Sequence, residues 1–566
     1  MAGRKQATGL AGLALGLALL AALLAGAPFY AGALAIAQHE GDALHLADLV
    51  LRMAELGQTP HRDFLTPIGI GALWPVAAFV QAGLGFGHAF MAAQALVLAV
   101  LFLPILRAAQ SRFPGALAWL FAAYVAGLCV ALLHGEADTQ SSLSMHYNRW
   151  AWAMAYVALP LAMLEPLAGV RRPWLDGALI GAMMAGLVLV KVTYFAAFAP
   201  VVVLALLVRR DGATLAVALA VGLAVLGAIT VRLGLDFWPA YLHDLMTVAG
   251  SDNRAAPGES FAGILAAPQN LAATLLLLAA VVFLRQAGEM TGGLLLLALT
   301  PAFAYVTYQN FGNDPQWLVL LALLALALRP EGAVSNGFGW RLRDALLCVG
   351  VGALVLGSGS AMNLVWSPLR HAFAKTEGMV PLLSARPADA DLLVWPARLY
   401  KAEQLVRADG PGQPYAAFAE KGAVKIPQER PKPQSASLNG EELPNCEMSA
   451  LNALFEQQAA DLAAAGYGGK AILSTDLFAV LWLFGPFKPV RGEAPWYYGG
   501  APGMAQAELV LVPLCPNNRE VRASMLEAID KQGWRLIEER RSETYILLRP
   551  ERAAPENAAG AATPGG

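Results

Sequence analysis

The chain has 566 residues, 57% of them hydrophobic and only 14% charged, with a mean hydropathy of +0.52. That is far too apolar for a soluble globule of this length and describes a protein that crosses a bilayer several times. The formal charge of -2 leaves no basic footprint, so nucleic acid is excluded as a partner.

Arg4 and Lys5 precede an apolar stretch, 8–37, about twice the length of a signal-peptide core and without a clean cleavage site; it reads as a retained first spanning helix. A polar loop, 38–67, follows at once and presents His39, Glu40, Asp42 and His45. Residues 42–55 read as a helix lying along the membrane surface. His45, Asp48, Arg52 and Glu55 recur at three- and four-residue spacing on one face, with Leu44, Ala47, Leu51 and Ala54 on the other. Gly57 is the natural stop. Asp42, at the helix start, is either an N-cap or a reactive acid.

Apolar segments of spanning length then recur near 89–106, 116–133, 150–164, 175–190, 193–208, 213–231, 271–284, 292–305, 317–328 and 345–364. Segment 68–84 decides the sidedness of everything after it. If it does not cross, Arg4/Lys5, Arg107/Arg112, Arg171/Arg172, Arg209/Arg210, Arg285 and Arg329/Arg341/Arg343 share one side, which the positive-inside rule makes cytoplasmic. The expectation is therefore about eleven spanning helices plus a re-entrant or interfacial helix at 68–84. The N-terminus is then cytoplasmic, and the polar side chains gather on the other face.

Past residue 364 hydropathy falls. Helical readings at 391–406, 449–465, 476–484 and 519–532 alternate with short apolar strands at 470–474, 507–513 and 545–548, around an irregular stretch at 410–443. This describes a small extracytoplasmic α/β domain at 367–552, after a membrane module at 1–366 and before an Ala/Pro/Gly-rich disordered tail at 553–566. Cys446 and Cys515 lie in this domain and can pair if it faces an oxidising compartment.

A first helix, the acid-bearing loop GDALHLADLVLRMAELGQTPHRDFLTPIG, a many-helix bundle and a soluble C-terminal part together resemble the C-type (GT-C) membrane glycosyltransferases. The nearest likeness is to the bacterial group labelled RgtA/B/C/D-like or protein-mannosyltransferase-like. It is carried by the acid just after the first helix, by the phrase x-R-D-F-x-T-P-x-G at 61–69, and by the helix pair split at Lys191, GLVLVKVTYFAAFAPVVVLALL. The likeness covers roughly residues 8–330. It implies transfer of a sugar from a polyprenyl-phosphate carrier to a cell-envelope acceptor, on the outer face of a bacterial inner membrane.

Carried over residue by residue, Asp42 takes the place of the catalytic carboxylate, with Glu40 its close competitor. Glu136 and Asp138, in the second external loop HGEADTQSSLSMHYNR, stand where many members carry another acid, although here HGEAD lies directly at the helix end. Arg149 and Lys191 match basic residues that face the lipid-linked phosphate. His45, His61, Arg62, Asp63, Tyr147, Asn310, Asn313 and Asp314 are candidate substrate contacts, with His243 and Asp244 as weaker ones. A divalent cation, Mg or Mn, held by Asp42 with Glu136 or Asp138, is compatible with the chemistry, though no ligand spacing is specific.

Each assignment has a plainer competitor: a solvated loop acid for Glu136 and Asp138, an interfacial anchor for Arg149 beside Trp150 and Trp152, and a snorkelling cation for Lys191. Three rival functions remain at this level, one of them a scaffold whose α/β domain binds envelope partners. A polysaccharide or O-antigen ligase would favour a large Arg-rich external loop, which the chain lacks. A transporter or flippase would favour ionisable groups at the midplane and an inverted repeat.

Overall fold

The computed structural model describes residues 8–552 apart from 168–169, 171, 252, 254–259, 311–312, 400–435, 445 and 448–450. The disordered tail expected at 553–566 and most of the irregular stretch expected at 410–443 therefore lie outside the described residues.

The apolar segments are helices, in the expected order. They are α1 Leu10–Gly26, α2 Glu40–Leu56, α3 Ile70–Gln81, α4 Phe86–Arg112, α5 Ala116–Val130, α6 His146–Met163, α7 Pro173–Val190 and α8 Val192–Val208. Then follow α9 Gly212–Leu233, α10 Phe237–Ala249, α11 Phe261–Ala266, α12 Pro268–Gln286, α13 Met290–Gln309, α14 Trp317–Ala327 and α15 Leu342–Ala372. Seven helical segments among the described residues are long and apolar enough to cross a membrane: Leu10–Ala31, α4, α7, α9, α12, α13 and α15. Four shorter apolar helices, α3, α5, α8 and α14, accompany them. The protein is thus a predominantly helical membrane protein. At about 1.5 Å per residue, the 12 residues of α3 extend about 18 Å and the 11 of α14 about 16 Å, both short of a hydrocarbon core of about 30 Å.

Two helical details depart from the sequence reading. The region after α9, which lies between the apolar segments expected at 213–231 and 271–284, contains α10 and α11. Arg107 and Arg112, read as flanking topology charges, turn inward and share the buried Asp176, with Arg107 Nε 2.7 Å from Oδ1 and Arg112 Nη2 2.7 Å from Oδ2. A carboxylate placed between two guanidinium groups offsets the desolvation of all three.

The polar domain is layered as expected but differs in detail. Its sheet contains β6 Ile472–Ser474, β7 Leu509–Pro513, β8 Trp534–Arg541 and β9 Tyr545–Arg552, in the order β6-β7-β9-β8. β6 and β7 are parallel and the other pairs antiparallel. The helices Leu451–Ala464 and Arg519–Lys531 match the expected ones.

β8 carries no apolar run. Its residues, WRLIEERR, are mostly exposed at the sheet edge, where charge is tolerated, so the hydrophobic-run criterion passes over it. Residues 391–406, read as helix, instead begin with a strand, β3 Leu392–Val394, before the short helix Pro396–Leu399. β3 pairs in parallel with β1 Leu34–Ala35, just after the first helix, and antiparallel with β2 Val380–Pro381. The helix read at 476–484 shrinks to a single 3-10 turn, Leu481–Leu483. β4 Ser437–Leu438 and β5 Glu441–Glu442 form a small hairpin, and Cys446 and Cys515 are joined by a disulfide.

The polar domain seats on α2. His45, Asp48 and Arg52, which form the polar face of the helix, are buried against residues 478–496. Arg52 Nε donates to Asp48 Oδ1 at 2.7 Å and its Nη2 pairs with Glu493. Trp482 Nε1 donates to Asp48 Oδ1 at 2.7 Å, and Leu65 N donates to the Glu493 carbonyl at 3.0 Å. The polar stripe is an interface in which the single cation Arg52 is shared by Asp48 of its own helix and Glu493 of the polar domain.

Candidate functional site

α2 starts from an unusual backbone. Its N-cap is His39, with φ +59, a left-handed conformation uncommon outside glycine, and Gly57 ends it at φ +64, with its amide bonded to the Arg52 carbonyl. Asp42 lies inside the first turn and caps nothing; its carboxylate instead accepts a hydrogen bond from Ser144 Oγ in the second loop. Burial pushes the Asp42 carboxyl above its ordinary value, while the Ser144 bond and the charge of His39 pull the other way.

Asp42 opens onto a cavity of about 840 Å³, of the size that encloses a substrate. His45, Tyr147 and Lys191 share its wall, Met246 and Val248 of α10 close one side, and Trp496, Tyr498 and Asn518 of the polar domain form the roof. Lys191 is the single extended residue, φ -154, between α7 and α8, so two apolar helices deliver one cation to the cavity. Its Nζ lies 4.7 Å from the centroid of the Tyr147 ring. The imidazole of His45 is buried against Trp496, with ring centroids 5.5 Å apart, and burial, aided by the charge of Arg52, lowers its pKa to about 3. It is a neutral wall of the cavity.

The other expected residues stand elsewhere. Glu40 is held by Arg398, at 2.7 Å to Nε and 3.1 Å to Nη2, and does not line the cavity. Arg149 does not line it either. Fully buried, it donates from Nη1 to the carbonyls of His134 and Ser144, at 3.3 and 2.9 Å, and so braces the loop that presents Ser144 to Asp42.

His61 Nδ1 bonds Asp244 at 2.9 Å, Asp63 accepts from Arg491 Nε at 2.7 Å, and Arg62 pairs with Asp236. These three tie the loop return to α10 and the polar domain and border a separate surface hollow. Asn310, Asn313 and Asp314 line a third, small cavity, where Asn310 donates to Tyr194 Oη at 2.7 Å. Asp138 is an exposed turn acid that accepts from Gln140 N at 3.0 Å.

Asp42 does not belong to the group of three or more ligating side chains found among the described residues; that group is His39, His134 and Glu136. Ser144, Trp496, Tyr498 and Asn518 were invisible to sequence reasoning. Ser144 acts by a contact spanning 102 positions, and the others belong to a domain with no motif.

No family model, no curated protein and no solved structure matches the chain.

Proposed function

We propose that the protein is an integral membrane glycosyltransferase that moves a sugar from a polyprenyl-phosphate donor to a cell-envelope acceptor outside the cytoplasm. The observation that carries this reading is the convergence of Asp42 and Lys191 on one cavity, beside α7 and α8 and beneath the polar domain. Asp42 accepts the proton of the acceptor hydroxyl as its oxygen attacks the anomeric carbon. Its raised pKa brings a carboxylate base closer to neutral operation. The bond from that carbon to the phosphate oxygen breaks, charge grows on the departing phosphate, and Lys191 stabilises it more than it stabilises the singly charged donor. One displacement inverts the sugar centre and needs no nucleophilic residue.

The aromatic roof suits a sugar ring, which stacks its C–H face on Trp or Tyr. The disulfide between Cys446 and Cys515 suits an oxidising compartment and so supports an extracytoplasmic domain. About eleven crossings and a cytoplasmic N-terminus complete the proposal.

The test is release of sugar from polyprenyl-phosphate sugars by the purified protein and by Asp42→Asn and Asp42→Ala. A loss of at least about 100-fold in both is expected. Full activity in both variants removes Asp42 as the base, and wild-type solute flux without turnover of any lipid-linked sugar would replace the reading with transport.

A further inference from the structure

Three side chains that the proposed transfer leaves unused converge at the edge of the Asp42 wall. One ligating atom each from His39, His134 and Glu136 lies within 4.8 Å of the other two. His39 Nδ1 is engaged by Ser142 Oγ at 3.0 Å, which orients the ring and leaves Nε2 for a ligand. The His39 and His134 rings lie side by side, with centroids 4.4 Å apart. His134 is only 7% exposed, yet its Nδ1 has no hydrogen-bond partner. Such a buried orphan is costly unless something outside the chain satisfies it.

Glu136 Oε1 stands 3.9 Å from that nitrogen, too far for a hydrogen bond. Two ligands at about 2.0–2.1 Å from one tetrahedral ion sit about 3.4 Å apart, and the Glu136 side chain, 37% exposed, is free to close the difference. The backbone between them permits the convergence: Gly135 has φ +127, and a Cβ there would meet Asn313 Oδ1 at 2.3 Å and Gln316 Nε2 at 2.5 Å.

We propose that His39, His134 and Glu136 form a two-histidine, one-carboxylate site for a divalent transition ion, with Zn2+ the best match. Two imidazoles favour zinc over magnesium or calcium, and three protein ligands leave a fourth position open at the Glu136 side. The nearby cation Arg149 opposes an ion there; the carboxylates of Asp138 and Asp314, which act on Glu136, offset it. A bound ion would clip the start of α2 to the loop between α5 and α6, the same two segments that the Ser144–Asp42 hydrogen bond joins. The site stands independently of the sugar-transfer reading.

The test uses the full-length protein, purified without a histidine tag and stripped with chelator. Calorimetric titration with Zn2+ should show one saturable ion per chain, and Co2+ should develop visible ligand-field bands. Glu136→Gln, at a partly exposed position that does not threaten folding, should weaken binding at least about 10-fold, and His134→Ala about 100-fold or more. Mg2+ at equal concentration should not displace Zn2+. Absence of stoichiometric binding, unchanged affinity in Glu136→Gln with its unliganded melting midpoint preserved, or equal competition by Mg2+ would each overturn the site.

Discussion

The ammonium of Lys191 stands 4.7 Å from the centroid of the Tyr147 ring, joining the break between α7 and α8 to the first turn of α6. The pair holds a cation in the cavity that Asp42 faces, at a position where a flexible four-carbon stem would otherwise sample many directions. Lys191→Met should lower kcat/KM for a polyprenyl-phosphate sugar by about 100-fold, the order expected on removing one charge-stabilising donor. Lys191→Arg should recover most of it. Tyr147→Ala, which keeps the charge but frees the stem, should fall between them, chiefly through kcat. Equal activity in Lys191→Met and wild type would remove the lysine from phosphate stabilisation.

Ser144 sets the pH response of the same site. Its hydroxyl stabilises the ionised form of Asp42 and so opposes the effect of burial. Ser144→Ala should raise the Asp42 pKa, and because a general base must be deprotonated, the acid limb of the kcat/KM profile should move to higher pH with the plateau nearly unchanged. A profile that moves down or stays in place would mean that Asp42 is not the titrating base.

The seat of the polar domain on α2 has its own pH dependence. Arg52 is shared by Asp48 and Glu493, all buried, so one cation faces two carboxylates. Burial chiefly, with the charge of Asp48, pushes Glu493 up from 4.5 to about 7 against the pull of Arg52. Between those values the folded protein holds a proton that the unfolded chain releases, so this contribution to stability is fully present below about 4.5 and is lost as pH rises through about 7. Thermal melting in detergent should show that decline in wild type and a flatter profile in Glu493→Gln. Arg52→Ala, which strands two buried carboxylates, should destabilise by about 3–5 kcal/mol.

The disulfide closes a sequence separation of 69 residues across the polar domain. By loop-closure entropy its removal in a Cys446→Ser/Cys515→Ser double variant should cost about 4 kcal/mol. Unfolding of the domain followed with and without reductant should show reductant lowering the wild-type midpoint and leaving the double variant unmoved.

Sidedness is checked by cysteine labelling in intact cells on a background without the four native cysteines. Glu136→Cys should react with an impermeant thiol reagent from outside, whereas Glu331→Cys, in the basic connection between α14 and α15, should react only after permeabilisation. Reversal at position 136 would place the Asp42 cavity on the cytoplasmic face.

Periodicity and hydropathy located the helices because a span must satisfy its own backbone and present apolar side chains to lipid; both requirements are local. The strands β6, β7 and β9 were legible as short apolar runs because their apolar residues are buried in the core of the polar domain. β8 was not, since an edge strand needs no apolar run, nor was β3, whose partner β1 lies across most of the chain.

At the site, Asp42 and Lys191 were two of several candidates, put forward beside Glu40, Glu136, Asp138 and Arg149 by position in the chain and by resemblance; of these six only Asp42 and Lys191 line the cavity. Their neighbours required the tertiary structure. Whether Glu40 faces a cavity or Arg398, whether Arg149 faces a phosphate or two carbonyls, and whether the polar stripe of α2 meets water or Glu493 are each decided by groups distant in sequence. The polar loop 38–67 was recognisable from its residues as the place where acids meet a membrane face. Only the folded chain could decide which acid opens onto the cavity, since hydrogen bonds and ion pairs form between segments whose meeting no local pattern records.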